Sequence, residues 1–422
     1  MLRPYQLAPI EGLEDGDLIV SPTGTGKSVI LAEIARREVD AGGLALAVAH
    51  RTELLGQLSN KFRDAWLTPE LNVLVRSIQE LRLAPPIPGV TMLLWDEAHH
   101  AAGDDWMRLR TEQYPRAKLV GFTATPERGD GRGMGSAGFR RIRTTISVKE
   151  AVAAGYLVKP DVIRPSRALA PGELAQDPLD AYLEHARGTR AISFHPNVQL
   201  AIEAACKFRE HVPAAAVWGD MPSKDRVAVL QRFARGELLV LTSVNVLTEG
   251  FDVPETETCI LARRFGTRGA LVQAGGRVLR PAPGKTRGLI LDLCGVTHDL
   301  GELDDDVTYH LEGRGIRRPS DEIDVRFCPV CGAPVVGKEC DQCGHAGEMK
   351  LRRPRVLGLP MERFARVRQD DDDARAARLS RWLGECRAKG WKEGRALHRF
   401  KGAYGDWPSR ELVTRARSLT SG

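Results

Sequence analysis

The segment that most constrains this chain is Leu18-Ile19-Val20 followed by Ser21-Pro22-Thr23-Gly24-Thr25-Gly26-Lys27-Ser28. Apolar residues then recur at helical spacing (Val29, Ile30, Ile34, with Ala32 and Ala35). An apolar strand that stops at a glycine-rich turn and resumes as a helix is the context of a loop that wraps phosphate in backbone amides. Gly24 and Gly26 let the backbone curl so that its amides face the phosphates. Lys27 would neutralise β- and γ-phosphate oxygens, and Ser28 would hold Mg2+. The general pattern begins with Gly, and Ser21 takes that position here. Further short apolar runs predict strands at Leu44–Ala49, Thr91–Trp95 and Leu119–Thr123, and again at Ala191–Phe194, Ala214–Trp218, Leu238–Leu241, Thr258–Leu261 and Gly288–Leu291. Helical stretches such as Val198–Phe208 and Lys224–Phe233 lie between them. Strands alternating with helices predict an α/β fold with parallel sheets covered on both faces, built as two tandem lobes. Gly and Pro in Gly155-Tyr156-Leu157-Val158-Lys159-Pro160 mark the boundary.

Composition agrees with a large globular protein: 422 residues, 42% hydrophobic and 27% charged. That balance excludes collagen-like, disordered and membrane-spanning classes. The N-terminus lacks the basic-then-apolar pattern of a signal peptide, so a cytoplasmic location is expected. The net charge of +6 is unevenly placed: residues 351–422 hold 18 Lys+Arg against 9 Asp+Glu. Such asymmetry points the C-terminal segment at an anionic partner, nucleic acid first, against a solvated Arg-rich helical face.

A second constellation completes the chemistry of the first. The apolar run Met92-Leu93-Leu94-Trp95 ends in Asp96-Glu97-Ala98-His99-His100. Asp96 would sit on Mg2+ through its water shell, and Glu97 would orient and deprotonate an attacking water.

Together these residues resemble superfamily 2 helicases, with Asp96-Glu97-Ala98-His99 as the DEAH form of motif II. The resemblance extends through residues 1–300 and implies two RecA-like lobes. Arg3-Pro4-Tyr5-Gln6 is similar to the adenine-recognition motif, with Gln6 as reader of adenine. With Arg3, Gln6 and the loop residues Thr23, Gly24, Thr25, Gly26, Lys27 and Ser28, the implied nucleotide set includes Asp96 and, from Thr248-Glu249-Gly250-Phe251-Asp252-Val253-Pro254 (motif V), Gly250 and Asp252. Arg51 and Gln57 of the motif Ia-like segment, Ser77 and Gln79 of Ser77-Ile78-Gln79, and Thr242 are the implied nucleic-acid contacts. Coupling falls to His99, to Thr123 and Thr125 of Thr123-Ala124-Thr125-Pro126 (motif III), and to Gln273 of motif VI. That motif, Gln273-Ala274-Gly275-Gly276-Arg277-Val278-Leu279-Arg280, supplies two arginines spaced i, i+3, which on a helix would project from one face. Brought across the cleft, Arg280 and Arg277 would stabilise charge on the transferring phosphoryl group as arginine fingers. Thr123 to Gly131 and Thr248 to Pro254 resemble the group of RadD-like bacterial helicases, the phage helicase UvsW and restriction-enzyme translocases. Leu291 to His298 is similar to a RadD-like segment.

Cys328-Pro329-Val330-Cys331 and Cys340-Asp341-Gln342-Cys343 form two C-x-x-C pairs eight residues apart. Four thiolates in that pattern suit a closed, structural Zn2+ site. His345 in place of Cys343, and a redox role, are the alternatives. The remaining four cysteines are expected to be reduced thiols. Ala374 to Lys389 places Leu379, Trp382, Leu383 and Cys386 on one helix face. Aromatics and basic residues interleave beyond it, at Trp391, Phe400 and Trp407. They read either as the core of a small helical domain or as a stacking surface for nucleic acid.

The expected organisation is lobe one at 1–157, lobe two at 158–300, a connector at 301–325, a four-cysteine zinc module at 326–346 and a basic helical tail at 361–422. The expected activity is ATP hydrolysis coupled to unwinding of, or translocation on, DNA, with ATP, Mg2+ and Zn2+. Repair, recombination or processing of forked and branched DNA is the expected setting. The expected partners are single-stranded, forked or branched DNA and single-strand-binding or repair proteins, and no membrane. RNA as substrate, or a nucleic-acid-binding adaptor with its ATPase as a switch, are the alternatives. The DNA preference rests on the subfamily resemblance alone.

Overall fold

The computed structural model describes residues 2–49, 56, 58–60, 62–63, 73–100, 104–127, 133–244, 247, 253–312, 326–327, 334–335, 353–364, 372–388, 393–404 and 407–420. The chain divides into two compact units, residues 1–361 and 362–422.

Lobe one of the first unit contains β1 (Asp17–Val20), β2 (Ala45–Ala49), β3 (Val73–Ser77), β4 (Met92–Trp95), β5 (Lys118–Thr123) and β6 (Arg141–Thr144). They pair in the order β3-β2-β4-β5-β1-β6, all parallel. Side chains alternate across a strand, so each apolar run serves two cores. Leu18, Val20, Leu46, Val48, Leu93 and Trp95 join Trp106 and Phe139 on one face. Ile19, Ala45, Ala47, Met92 and Leu94 meet Ile30, Leu31 and Ile34 of the Lys27–Asp40 helix on the other. The strands β4, β5 and β1 are neighbours, and all three end at the same sheet edge. The carboxyl ends of adjacent parallel strands are where open α/β sheets place their ligands.

Lobe two contains β7 (Lys159–Arg164), a short β8 (Glu173–Leu174), β9 (Ala191–Phe194), β10 (Ala214–Trp218), β11 (Val240–Val244), β12 (Thr258–Leu261) and β13 (Arg287–Asp292). Six of them run parallel in the order β10-β11-β9-β12-β13-β7. Three of its helices begin at side-chain caps that satisfy first-turn amides. Asp177 accepts from Leu179 N at 2.9 Å, Asn197 from Leu200 N at 2.9 Å, and Thr267 from Ala270 N at 3.2 Å.

Residues 301–312 strap lobe two to lobe one. Arg268 donates to the carbonyls of Leu300 and Asp305, and Leu303 packs where Gly275 leaves room. Farther along, Lys149 of lobe one lies 3.4 Å from Asp306, Tyr309 and Leu311 pack on the lobe-one core, and Leu311 O accepts from Gly135 N at 3.1 Å. Arg326–Phe327 pairs antiparallel with Pro334–Val335. Arg355–Val356 runs parallel to β8.

The second unit holds helices Asp372–Ala388, Gly394–Tyr404 and Arg410–Thr420. Ala376, Leu379, Leu383, Cys386, Ala396, Phe400, Leu412 and Ala416 form its core. Phe400 is inside, Trp382 packs partly against the core, and Trp407 is 50% exposed. No described helix is long and apolar enough to cross a membrane.

Candidate nucleotide and nucleic-acid site

The phosphate loop leaves β1 and opens the Lys27–Asp40 helix. Gly24 and Gly26 hold φ of 89° and 87°, a region open to glycine at no steric cost. Gly26 is the helix N-cap, and no side chain caps this end. A fourteen-residue helix therefore offers its first-turn amides and dipole to an anion. Ser21 braces the loop from within: its Oγ lies 2.7 Å from Thr25 Oγ1 and 3.1 Å from Thr145 Oγ1, and Thr25 Oγ1 donates to Pro22 O at 2.7 Å. These features fit the loop to a triphosphate.

Lys27 Nζ donates to Glu97 Oε1 at 2.5 Å, and both side chains are 14% exposed. Glu97 is the one non-glycine residue with positive φ among the described residues, at 46°. Such a backbone costs of order 1–3 kcal/mol and persists when the surroundings over-determine it. Here the turn after β4 is fixed by Trp95, fully buried against Trp106 and Phe139. Asp96 Oδ1 accepts from Glu97 N at 3.0 Å. His99 Nδ1 lies 3.5 Å from Glu97 Oε2 and 3.1 Å from Thr123 Oγ1, while Thr123 Oγ1 donates to Thr125 O at 2.7 Å. His99 Nε2 lies 3.4 Å from Gln273 Nε2 of lobe two. Glu97, His99, Thr123, Thr125 and Gln273 thus form one contiguous polar path across the cleft.

Lobe two approaches this edge through the Arg268–Gly276 helix. Two glycines seven residues apart let it come close. A Cβ on Gly269 would stand 2.5 Å from Thr125 Oγ1, and one on Gly276 would stand 2.9 Å from Thr23 Cβ. The helix ends at Gly276, so Arg277 and Arg280 lie beyond it and do not share a helix face as the i, i+3 spacing implies. The consecutive glycines Gly275 and Gly276 weaken continuation of the helix. Arg277 is 8% exposed, and the Arg280 stem packs on Gly24 of the phosphate loop.

The N-terminal motif lies against the loop as well. Gln6 is buried; its amide donates to Thr25 O at 3.0 Å and its Oε1 accepts from Arg3 N at 2.9 Å. Tyr5 OH donates to Thr25 O at 2.8 Å. The Arg3 guanidinium sits 4.3 Å from the centroid of the Tyr156 ring, and the Tyr5 ring is 5.0 Å away. Tyr156 belongs to the interlobe segment, whose Leu157 packs on Gly24 and whose Val158 N donates to Leu279 O at 2.8 Å. Sequence reading missed Tyr156. The signal was its place beside Gly155 at the boundary.

Two expected nucleic-acid contacts are placed otherwise. Ser77 is 2% exposed and caps the Ile78–Leu81 turn by accepting from Glu80 N at 3.2 Å. Thr242 is fully buried and donates to Ala201 O at 2.7 Å, which braces a helix on β11. Both hydroxyls serve the fold. Gln79 is exposed. His195, at the end of β9, is buried and its Nε2 lies 2.9 Å from Ser193 Oγ of the same strand. Arg51, Gln57, Gly250, Asp252 and the cysteines 328, 331, 340 and 343 lie outside the described residues. Among the described residues no group of His, Cys, Asp and Glu could hold a metal ion.

Two family models match the chain. "Type III restriction enzyme, res subunit" covers residues 1–80 and 88–128, and "Helicase conserved C-terminal domain" covers 175–282. A "51.5 kDa protein" of Lactococcus phage (isolate 7-9) is 27% identical over 352 residues, 78% of this chain and 77% of that protein. A Schizosaccharomyces pombe protein named as mitochondrial ATP-dependent helicase irc3 is 26% identical over 347 residues, 69% of this chain and 57% of its own length. A fragment of an HsdR subunit of a type I restriction enzyme from Vibrio vulnificus YJ016 shares the fold, with a TM-score of 0.55 and 23% identity over 72% of this chain and 66% of that one. Fold and site define the class, an α/β helicase of two RecA-like lobes. The two family models and the helicase relatives together support a superfamily 2 helicase related to restriction-type enzymes.

Proposed function

We propose that this chain hydrolyses ATP in the interlobe cleft and uses the cycle to translocate on, or unwind, DNA in repair, recombination or fork processing. The carrying observation is that lobe one holds Lys27 and Glu97 against each other while lobe two sets Gly276 and Arg280 on the same loop. At rest the lysine and the carboxylate neutralise each other. With a triphosphate in the loop, Lys27 turns to the phosphate oxygens. Glu97 is then released to take a proton from the attacking water. Arg280, and Arg277 behind it, supply the remaining positive charge from across the cleft. Arg3 and Gln6 read the base. Ser28 and Asp96 would hold Mg2+, which offsets charge on the phosphate oxygens. The path from Glu97 through His99 to Gln273 carries the state of the phosphate site to lobe two.

DNA is favoured over RNA because one of the two matching family models is restriction-type. A Zn2+ held by Cys328, Cys331, Cys340 and Cys343 rests on the spacing of their two C-x-x-C pairs alone, since all four lie outside the described residues. Metal analysis of the purified chain should return one zinc. A metal-free, folded chain would remove the module.

Hydrolysis measured without nucleic acid, with single-stranded DNA, with forked DNA and with RNA tests the motor. Many-fold stimulation by DNA, lost in Glu97→Gln and Arg280→Ala, is expected. Stimulation by RNA alone would overturn the DNA assignment, and no stimulation would favour the adaptor.

A further inference from the structure

We propose that Trp407, with Lys401 and His398, forms a stacking site on the second unit for an unpaired nucleobase of a nucleic-acid single strand. The inference rests on the reading of the chain as a nucleic-acid motor. Among the described residues the core of this unit forms without Trp407, from eight buried side chains on three helices. Trp407 stays 50% exposed, whereas Phe400 is 1% exposed. Its indole is nonetheless held. The His398 ring meets it edge-on, with centroids 4.8 Å apart at 72°, and Lys401 Nζ lies 5.0 Å from the ring centroid. An oriented aromatic half open to water beside a cation is the arrangement that stacks bases irrespective of sequence. Arg395, His398 and Lys401 follow at i, i+3 and i+6 on the Gly394–Tyr404 helix, and all three are exposed. Their spacing lines one side of that helix with groups suited to phosphate. Residues 362–422 carry 15 Lys+Arg against 9 Asp+Glu, so the unit's field attracts a polyanion. A flat apolar ring, a cation on a flexible stem and a net positive unit match a base with its own phosphate. A duplex hides its base faces and offers only the phosphate.

The test is binding of a fluorescent single-stranded oligonucleotide to the full chain without nucleotide, over a range of salt, beside a blunt duplex of equal length. Trp407→Ala should weaken single-strand binding by about 5- to 150-fold, as expected for one lost stack. Trp407→Phe should keep most of the affinity. Trp407→Ala should leave the salt dependence unchanged, and Lys401→Gln should lower its slope by about 0.7, one phosphate's worth on a single strand. Circular dichroism confirms that each variant is folded. Wild-type single-strand affinity in Trp407→Ala, or an equal loss on the duplex, overturns the stacking site and leaves the motor reading intact. A wild-type chain that binds no nucleic acid overturns both.

Discussion

The two lobes meet at one cleft by opposite means. On the proposed reading lobe one presents the reagents: Lys27 at a helix start, and Asp96 and Glu97 on a strand-end turn strained enough to put a glutamate at a φ of 46°. Lobe two presents nearness. Gly269 and Gly276 keep its helix free of side chains where Thr125 and Thr23 press on it, and the arginines follow where that helix stops. Chemistry on one side depends on exact charges. Geometry on the other depends on an empty surface.

Removing a reagent should break the balance most. Glu97→Gln should lower stimulated phosphate release by about 1,000-fold, within the usual worth of a general base. Residual hydrolysis above a tenth of wild type would mean that another group activates water. Crowding the empty surface comes next. Gly276→Ala and then Gly276→Val should form a graded series, the valine about 100-fold slower, because misplacement by an ångström costs that much. Nucleotide binding by lobe one should survive in both, and equal activity across the series would show that closure tolerates more space than the geometry implies. Tyr156 lies between the two regimes, since it backs Arg3 from the interlobe segment. Tyr156→Ala should raise KM for ATP about two- to fivefold with little change in kcat, as one cation–π contact predicts. Tyr156→Phe should restore KM, and a fall in kcat alone would make Tyr156 a purely structural residue.

The smallest effect concerns stability. Burial pushes the His195 imidazole down to about 4. The unfolded chain then binds more protons than the folded one between about 4 and 6.5, so this contribution is present above that window and is lost as pH falls through it. Going from pH 7 to pH 6 should remove about 0.7 kcal/mol. Thermal unfolding of wild type against His195→Gln measures it, and parallel curves would refute the assignment.

The central strands Ala191–Phe194 and Thr258–Leu261 were legible to the residue, and so was the apolar edge strand Ala214–Trp218, because each is uniform enough in composition to declare itself. The strands missed include β3 and β6, the two edges of the first sheet, where Val-Leu-Val-Arg-Ser and Arg-Ile-Arg-Thr carry the charges that edges tolerate. Pro160 disguised β7 as a boundary. The glycine-rich turn after β1 and the acids after β4 stand out in the sequence because their pattern is local. Nothing local says that Gly276 faces Thr23, or that Tyr156 supports Arg3, because those pairings exist only once two distant segments fold together. The same limit applies to Thr242, whose hydroxyl is spent on a carbonyl 41 residues away.

The passage from Gly301 to Leu311 gives the lobes a second connection, besides the chain that crosses between them at Gly155–Val158. A plate attached at one point can swing and twist freely, but a plate attached at two turns about the line that joins them. Any opening of the cleft that keeps Tyr309 and Leu311 seated is therefore a rotation about that axis, so each hydrolysis cycle would retrace one arc.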